Sequence, residues 1–228
     1  MKKSTFVMLE KYMYACMEDA SHDREHVYRV LYTAMDIAET EPGVDKDVLI
    51  AACLLHDIGR KEQFADPSLC HAHVGGDKAY AFLVANGFST AFAEHVRACI
   101  QTHRFRTDQP PVSIEAEILF DADKIDVSGA IGIARTLIYV GQVGETLYYA
   151  EDGTVFNGEN DPEHTFFTEY HYKLKKIYSG FFTQRGREIA AERKKNAEEY
   201  YDSLYREIVG AYIPGYTLLK GYLDQQLE

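Results

Sequence analysis

The sequence predicts an all-α fold, a helical bundle with a C-terminal helical extension, on three observations. Apolar residues recur at three- and four-residue spacings along most of the chain. Gly, Pro and capping Ser or Asp punctuate these stretches at intervals that suit helices. The one stretch that reads as a strand turn, "YAEDGTVFNGENDPEH", is short and polar. With 228 residues, 46% of them hydrophobic, the chain can bury a sizeable core. Repeats, low-complexity tracts and a clear linker are missing. One domain over residues 1–228 is therefore expected, with a core at about 20–150 and C-terminal helices at about 164–228.

Taken in order, Phe6, Leu9, Tyr12, Met13 and Cys16 mark one face of a first helix. Ser21 or Asp23 can cap a second, whose stripe is Val27, Val30, Leu31, Ala34, Ile37 and Ala38; Pro42 and Gly43 break it. A third, from about Asp45 to Ile58, is apolar nearly all round and so should be central, with Gly59 its terminator. A loop with Asp66 and Pro67 precedes a fourth, about His71 to Asn86, ended by Gly87. A fifth runs from about Ser89 to Thr102. After the prolines of "RFRTDQPPVS", Ser113 with Glu117 opens a sixth, carrying "EAEILFDADKID". A seventh spans about Gly129 to Val140, a turn sits at Asp152-Gly153, and two more helices fill about Thr165 to Ile208. The charge run of the last reads as a solvated face.

A net charge of −12 argues against a nucleic-acid polymer as the partner, since phosphate binding needs a positive footprint. Cys16, Cys53, Cys70 and Cys99 form no CxxC pair, and read as free thiols of a reducing cytosol. Glu10, Lys11 and Glu18 interrupt any signal-like run at the N-terminus, and no run approaches a membrane span. A cytoplasmic protein without membrane attachment is expected.

The chemistry begins at "ACLLHDIGRK", where a buried helix ends in His56 and Asp57. Neighbours on a helix point about 100° apart, yet a long imidazole and a short carboxylate can converge on one point near a helix end. A divalent cation is such a point, held by His nitrogen and Asp oxygen at roughly 2.0–2.2 Å. The dipeptide alone is weak. His26, however, lies on the apolar stripe of the second helix, where an unpartnered imidazole is costly, and Asp123 shares a face with Ala116 and Leu119. His26, His56, Asp57 and Asp123 make a mixed N/O set suited to Mn, Fe, Ni, Zn or Mg, with open positions for water.

The succession "HDREHVYRV", "AACLLHDIGR" and "FDADKID" resembles the HD superfamily of metal-dependent phosphohydrolases, whose H…HD…D signature matches His26, His56, Asp57 and Asp123 in order. "GAIGIARTL" and "HYKLKKIYSGFFTQRGREIAAER" are similar to the bacterial YedJ/YpgQ-like branch. The resemblance covers about residues 22–193. It implies an all-helical HD domain around one metal ion or two, and hydrolysis of a phosphate ester or anhydride of a small nucleotide. For that branch it implies nucleotide pyrophosphohydrolase activity.

His22 shares a face with His26 and competes with it; His26 is preferred because it opens the "HVYRV" run, leaving His22 as a cap or pocket-mouth group. In "DADKID", Asp123 is preferred because Lys124 resembles the family's phosphate-contacting position. Asp121 points away by roughly 160° and reads as outward. Asp126, a turn on, can orient a ligand His or the attacking water. His71 in "HAHVGG" and His103 in "IQTHRF" are similar to second-metal positions of HD phosphodiesterases. They hold a second ion, which with the first would clamp both oxygens of a displacement, or they line the pocket. Lys124, then Arg60 and Lys61, are the candidate substrate-phosphate cations, with Arg104, Arg106 and Arg135 behind them. His171 is a further pocket candidate, as are Tyr139 and Tyr148 for stacking on a base. Two other functions stand beside the phosphohydrolase: a two-metal phosphodiesterase on a dinucleotide or cyclic nucleotide, and a regulatory module that binds metal or nucleotide without turnover.

Overall fold

The computed structural model describes residues 1–17, 24–104 and 109–225. Ser21, His22, Asp23 and Arg106 therefore lie outside the described residues. The chain divides into two compact units. One is Met1–Asp126 with Phe181–Arg187; the other is Val127–Gly180 with Glu188–Glu228.

The first unit holds α1 (Lys3–Cys16), α2 (Arg24–Ala38), α3 (Lys46–Leu55), α4 (Arg60–Ala65), α5 (His71–Ala85), α6 (Thr90–Thr102) and α7 (Ile114–Asp126). α3 is its axis. Val48, Leu49, Ala51, Ala52, Cys53, Leu54 and Leu55 are all buried, and the helix packs against α1, α2, α5, α6 and α7. Its all-round apolar sequence requires such a position, because every face must find a partner. Asp45 caps it, accepting hydrogen bonds from the N–H groups of Asp47 (2.9 Å) and Val48 (3.2 Å). Ser89 caps α6 through Phe92 N, and Ser113 caps α7 through Ala116 N.

Several details differ from what the sequence leads one to expect. α3 stops at Leu55, and residues 56–59 turn directly into α4, a helix placed where only a loop is expected. α4 buries no residue, so no apolar stripe announces it. Gly59 has φ −95°, so it does not end α3 through the left-handed region. It is glycine because a Cβ there would lie 2.3 Å from the His71 carbonyl oxygen and 2.6 Å from Gly75 N. Asp121 is also inward rather than outward. Fully buried, it accepts from Phe182 N (3.0 Å), Thr183 N (2.8 Å) and Thr183 Oγ1 (2.7 Å), holding the 181–187 segment to α7. A helix covered on several sides has no outward face for it.

The second unit holds α8 (Gly129–Val143), a hairpin of β1 (Ala150–Glu151) and β2 (Thr154–Val155), α9 (Phe166–Tyr172) and most of α10 (Gln184–Asp224). Asp152 and Gly153 both have positive φ, as the hairpin's tight turn demands. Ile133, Val140, Phe166, Phe167, Tyr170, Leu174, Ala197 and Tyr201 form its core. α10 runs past the expected end near Ile208, through Pro214. Its apolar stripe continues over Tyr212 to Tyr216, whose ring lies against Gly153, 2.9 Å from where a Cβ would stand. Among the described residues no helix is long and apolar enough to cross a membrane.

Candidate metal centre

α2, α5, the end of α6 and α7 each send one group into the middle of the first unit, and the end of α3 sends two. His26 and His56 face each other at Nε2, 3.3 Å apart. Asp123 Oδ1 lies 3.2 Å from His26 Nε2 and 3.9 Å from His56 Nε2. Asp57 Oδ2 lies 3.7 Å from each of the two ring nitrogens. Its other oxygen, Oδ1, lies 3.4 Å from His71 Nε2 and 3.8 Å from His103 Nε2. Donor atoms of His26, His56 and Asp123 form one compact cluster and those of Asp57, His71 and His103 a second, each able to hold a metal ion. Asp57 thus shows one oxygen to each. Sequence order separates these residues by up to 97 positions; the packing of five helices on α3 brings them together.

Each imidazole is pinned at its Nδ1. His26 Nδ1 donates to Asp126 Oδ2 (2.7 Å), His56 Nδ1 to the Cys53 carbonyl (2.8 Å), and His103 Nδ1 to the Ile100 carbonyl (2.6 Å). His71 Nδ1 donates to Gln63 Oε1 (2.7 Å), whose amide nitrogen is committed to the Leu69 carbonyl (3.1 Å). With Nδ1 engaged by these partners, Nε2 is the nitrogen that every ring turns inward. This is how imidazoles are held when they serve as metal ligands. Asp126 is itself held by Arg29, which donates through Nε (2.7 Å) and Nη2 (3.1 Å).

The electrostatics make the same demand for positive charge. Burial would depress His26, but hydrogen bonds to Asp123 and Asp126 and the charges of Asp123 and Asp57 outweigh it and raise its pKa to about 9. Burial pushes Asp57 and Asp123 up. The surrounding imidazoles win for both, aided by Arg60 at Asp57, and hold the two carboxyls well below the usual range. His71 and His103 are depressed chiefly by burial, His103 to about 4. Neutral and fully buried, they leave His71 Nε2 and His103 Nε2 with no hydrogen-bond partner. A buried orphan acceptor is expensive. A divalent cation would fit the Asp57, His71 and His103 donors, satisfying both bare nitrogens and the carboxylate oxygen they face, and His26, His56 and Asp123 offer a like set.

The remaining candidates are placed as follows. Arg60 Nε donates to Asp57 Oδ1 (2.9 Å). Lys61 is exposed on α4. Lys124 Nζ lies over the rings of Phe120 (5.2 Å) and Phe181 (4.9 Å), its pKa lowered by burial against the pull of Asp121. His171 sits in the second unit against Tyr170 and Tyr201, with Tyr148 packed on that unit's core and Tyr139 exposed. Gln63 and Arg29, which the sequence does not mark as site residues, take part, and Arg104, a candidate phosphate cation, lies instead beside an imidazole. Arg104 Nη1 lies 3.1 Å from His71 Nδ1. Gln63 is on the unannounced α4, whereas Arg29, one turn after His26 on the same helix, was open to discovery.

Residues 24–128 match the family model described as HD domain. The uncharacterized protein YpgQ of Bacillus subtilis (strain 168) is 29% identical over 198 residues, covering 85% of this chain and 87% of that protein. Among solved structures, an HD-superfamily hydrolase from Bacillus thuringiensis has a TM-score of 0.71 at 25% identity, covering 91% of this chain and 98% of that one. The complex of Bacillus subtilis YpgQ with ADP has a TM-score of 0.69 at 26% identity, covering 90% and 98%.

Proposed function

We propose that this chain, which carries an HD domain over residues 24–128 and so belongs with a superfamily of metal-dependent phosphohydrolases, cleaves a phosphate ester or anhydride of a small cytoplasmic nucleotide. Pyrophosphohydrolysis of a nucleoside triphosphate is the reaction we favour. One observation carries the reading: four imidazoles pinned at Nδ1 present Nε2 to Asp57 and Asp123. The ADP complex of YpgQ supports a nucleotide as the ligand class.

His26, His56, Asp57 and Asp123 would hold a divalent ion, which when bound lowers the pKa of water and polarises a phosphoryl oxygen. The rest falls to the chain. Asp126 fixes the tautomer and direction of His26. Asp57, kept ionised, accepts hydrogen bonds and can orient the attacking water. Arg60, 30% exposed, can reach a substrate phosphate with two parallel N–H donors while its Nε keeps hold of Asp57. Lys61 and Lys124 are the next cations along the same two segments.

A second reading, a phosphodiesterase on a dinucleotide or cyclic nucleotide, draws on the Asp57, His71 and His103 cluster. One experiment separates the readings. Chelator-stripped protein is reloaded with Mn²⁺ and given nucleoside mono- and triphosphates, cyclic nucleotides and cyclic dinucleotides. Pyrophosphate or phosphate release, lost in His56→Ala and Asp57→Ala, is expected. Opening of cyclic phosphodiesters alone favours the second reading. Ion binding without turnover on any compound points to a regulatory module.

A further inference from the structure

The two oxygens of Asp57 live in different surroundings. Oδ2 faces His26 and His56, in a cluster that Asp123 supplies with a second carboxylate. Oδ1 faces His71 and His103, and among the described residues no other carboxylate belongs to that cluster, although the charge of Asp123 reaches His103 from the first. Oδ1 also receives Arg60 Nε at 2.9 Å, a shorter contact than it makes with either imidazole. A second guanidinium, that of Arg104, stands 3.1 Å from the far nitrogen of His71. The first cluster therefore offers a cation the carboxylate of Asp123 besides its half of Asp57. The second offers half of a shared carboxylate that already has a fixed positive charge against it.

Like charges a few ångströms apart in a partly dry site repel strongly, and doubly so when one of them is divalent. The donor atoms of the second cluster are nonetheless built for an ion. His71 Nε2 and His103 Nε2 are buried, bare and aimed at Oδ1. Good ligands beside an opposing charge make a site whose affinity is set by that charge.

We propose that Arg60 sets the metal count of this centre: its guanidinium serves as a built-in counter-charge on Asp57 Oδ1, so that the His26, His56, Asp57, Asp123 site fills tightly and the Asp57, His71, His103 site only weakly. This rests on the metal reading above and assigns Arg60 a role besides any contact with phosphate. It follows that removing the charge at position 60, and not merely altering the side chain there, strengthens the second site.

The test titrates MnCl₂ into chelator-stripped wild type, Arg60→Gln and Arg60→Lys by calorimetry, with free Mn²⁺ counted by electron paramagnetic resonance. Circular dichroism melts check that each protein is folded. Wild type should take one ion tightly and a second at least about tenfold more weakly, and Arg60→Gln should tighten the second by about tenfold or more while moving the first far less. Arg60→Lys, which keeps the charge, should behave as wild type. His71→Ala placed on Arg60→Gln should abolish the gain. Two equally tight ions in wild type, or an unchanged second site in Arg60→Gln, overturns the inference and leaves the metal centre standing. Failure of every protein to take up Mn²⁺, or any other divalent ion offered, overturns the metal centre and this inference with it.

Discussion

At the scale of single residues, the centre depends on which nitrogen of each ring carries the proton. Asp126 decides this for His26, and Arg29 keeps Asp126 in place. Asp126→Asn removes the charge that holds the Nδ1 proton and leaves Arg29 facing an amide. Losing a partner that orients a ligand imidazole weakens metal affinity by about 10–100-fold, and Mn²⁺ titration of the stripped variant should read that loss with the fold intact. An unchanged affinity would deny Asp126 its positioning role. His171 gives a residue-level prediction away from the centre. Burial, then Lys175, lowers its pKa against the opposing charges of Glu159 and Asp161, with Lys176 adding to the depression. Unfolded, the ring takes up a proton near pH 6.5; folded, it does so only at lower pH. The unfolded chain thus binds more protons in that window, and the stability contribution present above about pH 6.5 is lost as pH falls through it. Melting curves at pH 7.5 and 5.5 should differ less in His171→Gln than in wild type. An equal or larger difference in the variant would show that the ring does not titrate this way.

At the scale of elements, the chain brings His71 to Asp57 by pressing α5 onto the turn after α3. Two glycines make the approach. A Cβ at Gly59 would collide with the His71 carbonyl, and one at Gly75 would stand 3.3 Å from Gly59 N and 3.4 Å from the His56 carbonyl. Gly59→Ala must push α5 away, at a cost of about 1–3 kcal/mol typical of overpacking, and it should displace His71 from Asp57. The expected readout is a lowered melting temperature together with loss of the weaker ion site. Retention of both would mean that α5 yields elsewhere. The starts of α3, α6 and α7 are legible because Asp45, Ser89 and Ser113 cap them, and the end of α5 because Gly87 has φ +83°. α4 was not legible, since a helix without buried residues has no periodic signal. α10 runs on through Gly210 and Pro214, both local stop signals, because its stripe continues to Tyr216 on the hairpin.

At the scale of the whole molecule, the prediction concerns removal of the ion. A cation that binds only the folded centre stabilises the first unit by mass action, about 2.7 kcal/mol at a hundredfold excess over its dissociation constant. Chelator should therefore lower the melting temperature by several degrees, and Mn²⁺ should restore it; no shift in either direction would count against an ion held by His26, His56, Asp57 and Asp123. Some of this protein was determined by sequence alone. Periodicity of 3.6 made the fold helical, the all-round apolar run around Ala51 made α3 central, and His and Asp at the ends of buried stripes marked groups that burial would not tolerate without a partner. Those are local properties, written in the spacing of residues on one element. The tertiary structure alone decided the rest. It turned Asp121 inward to hold residues 181–187, split the oxygens of Asp57 between two sets of imidazoles, and set Arg60 against one of them. Such matters depend on the distance between atoms on different helices, and the period of a single helix carries no information about them.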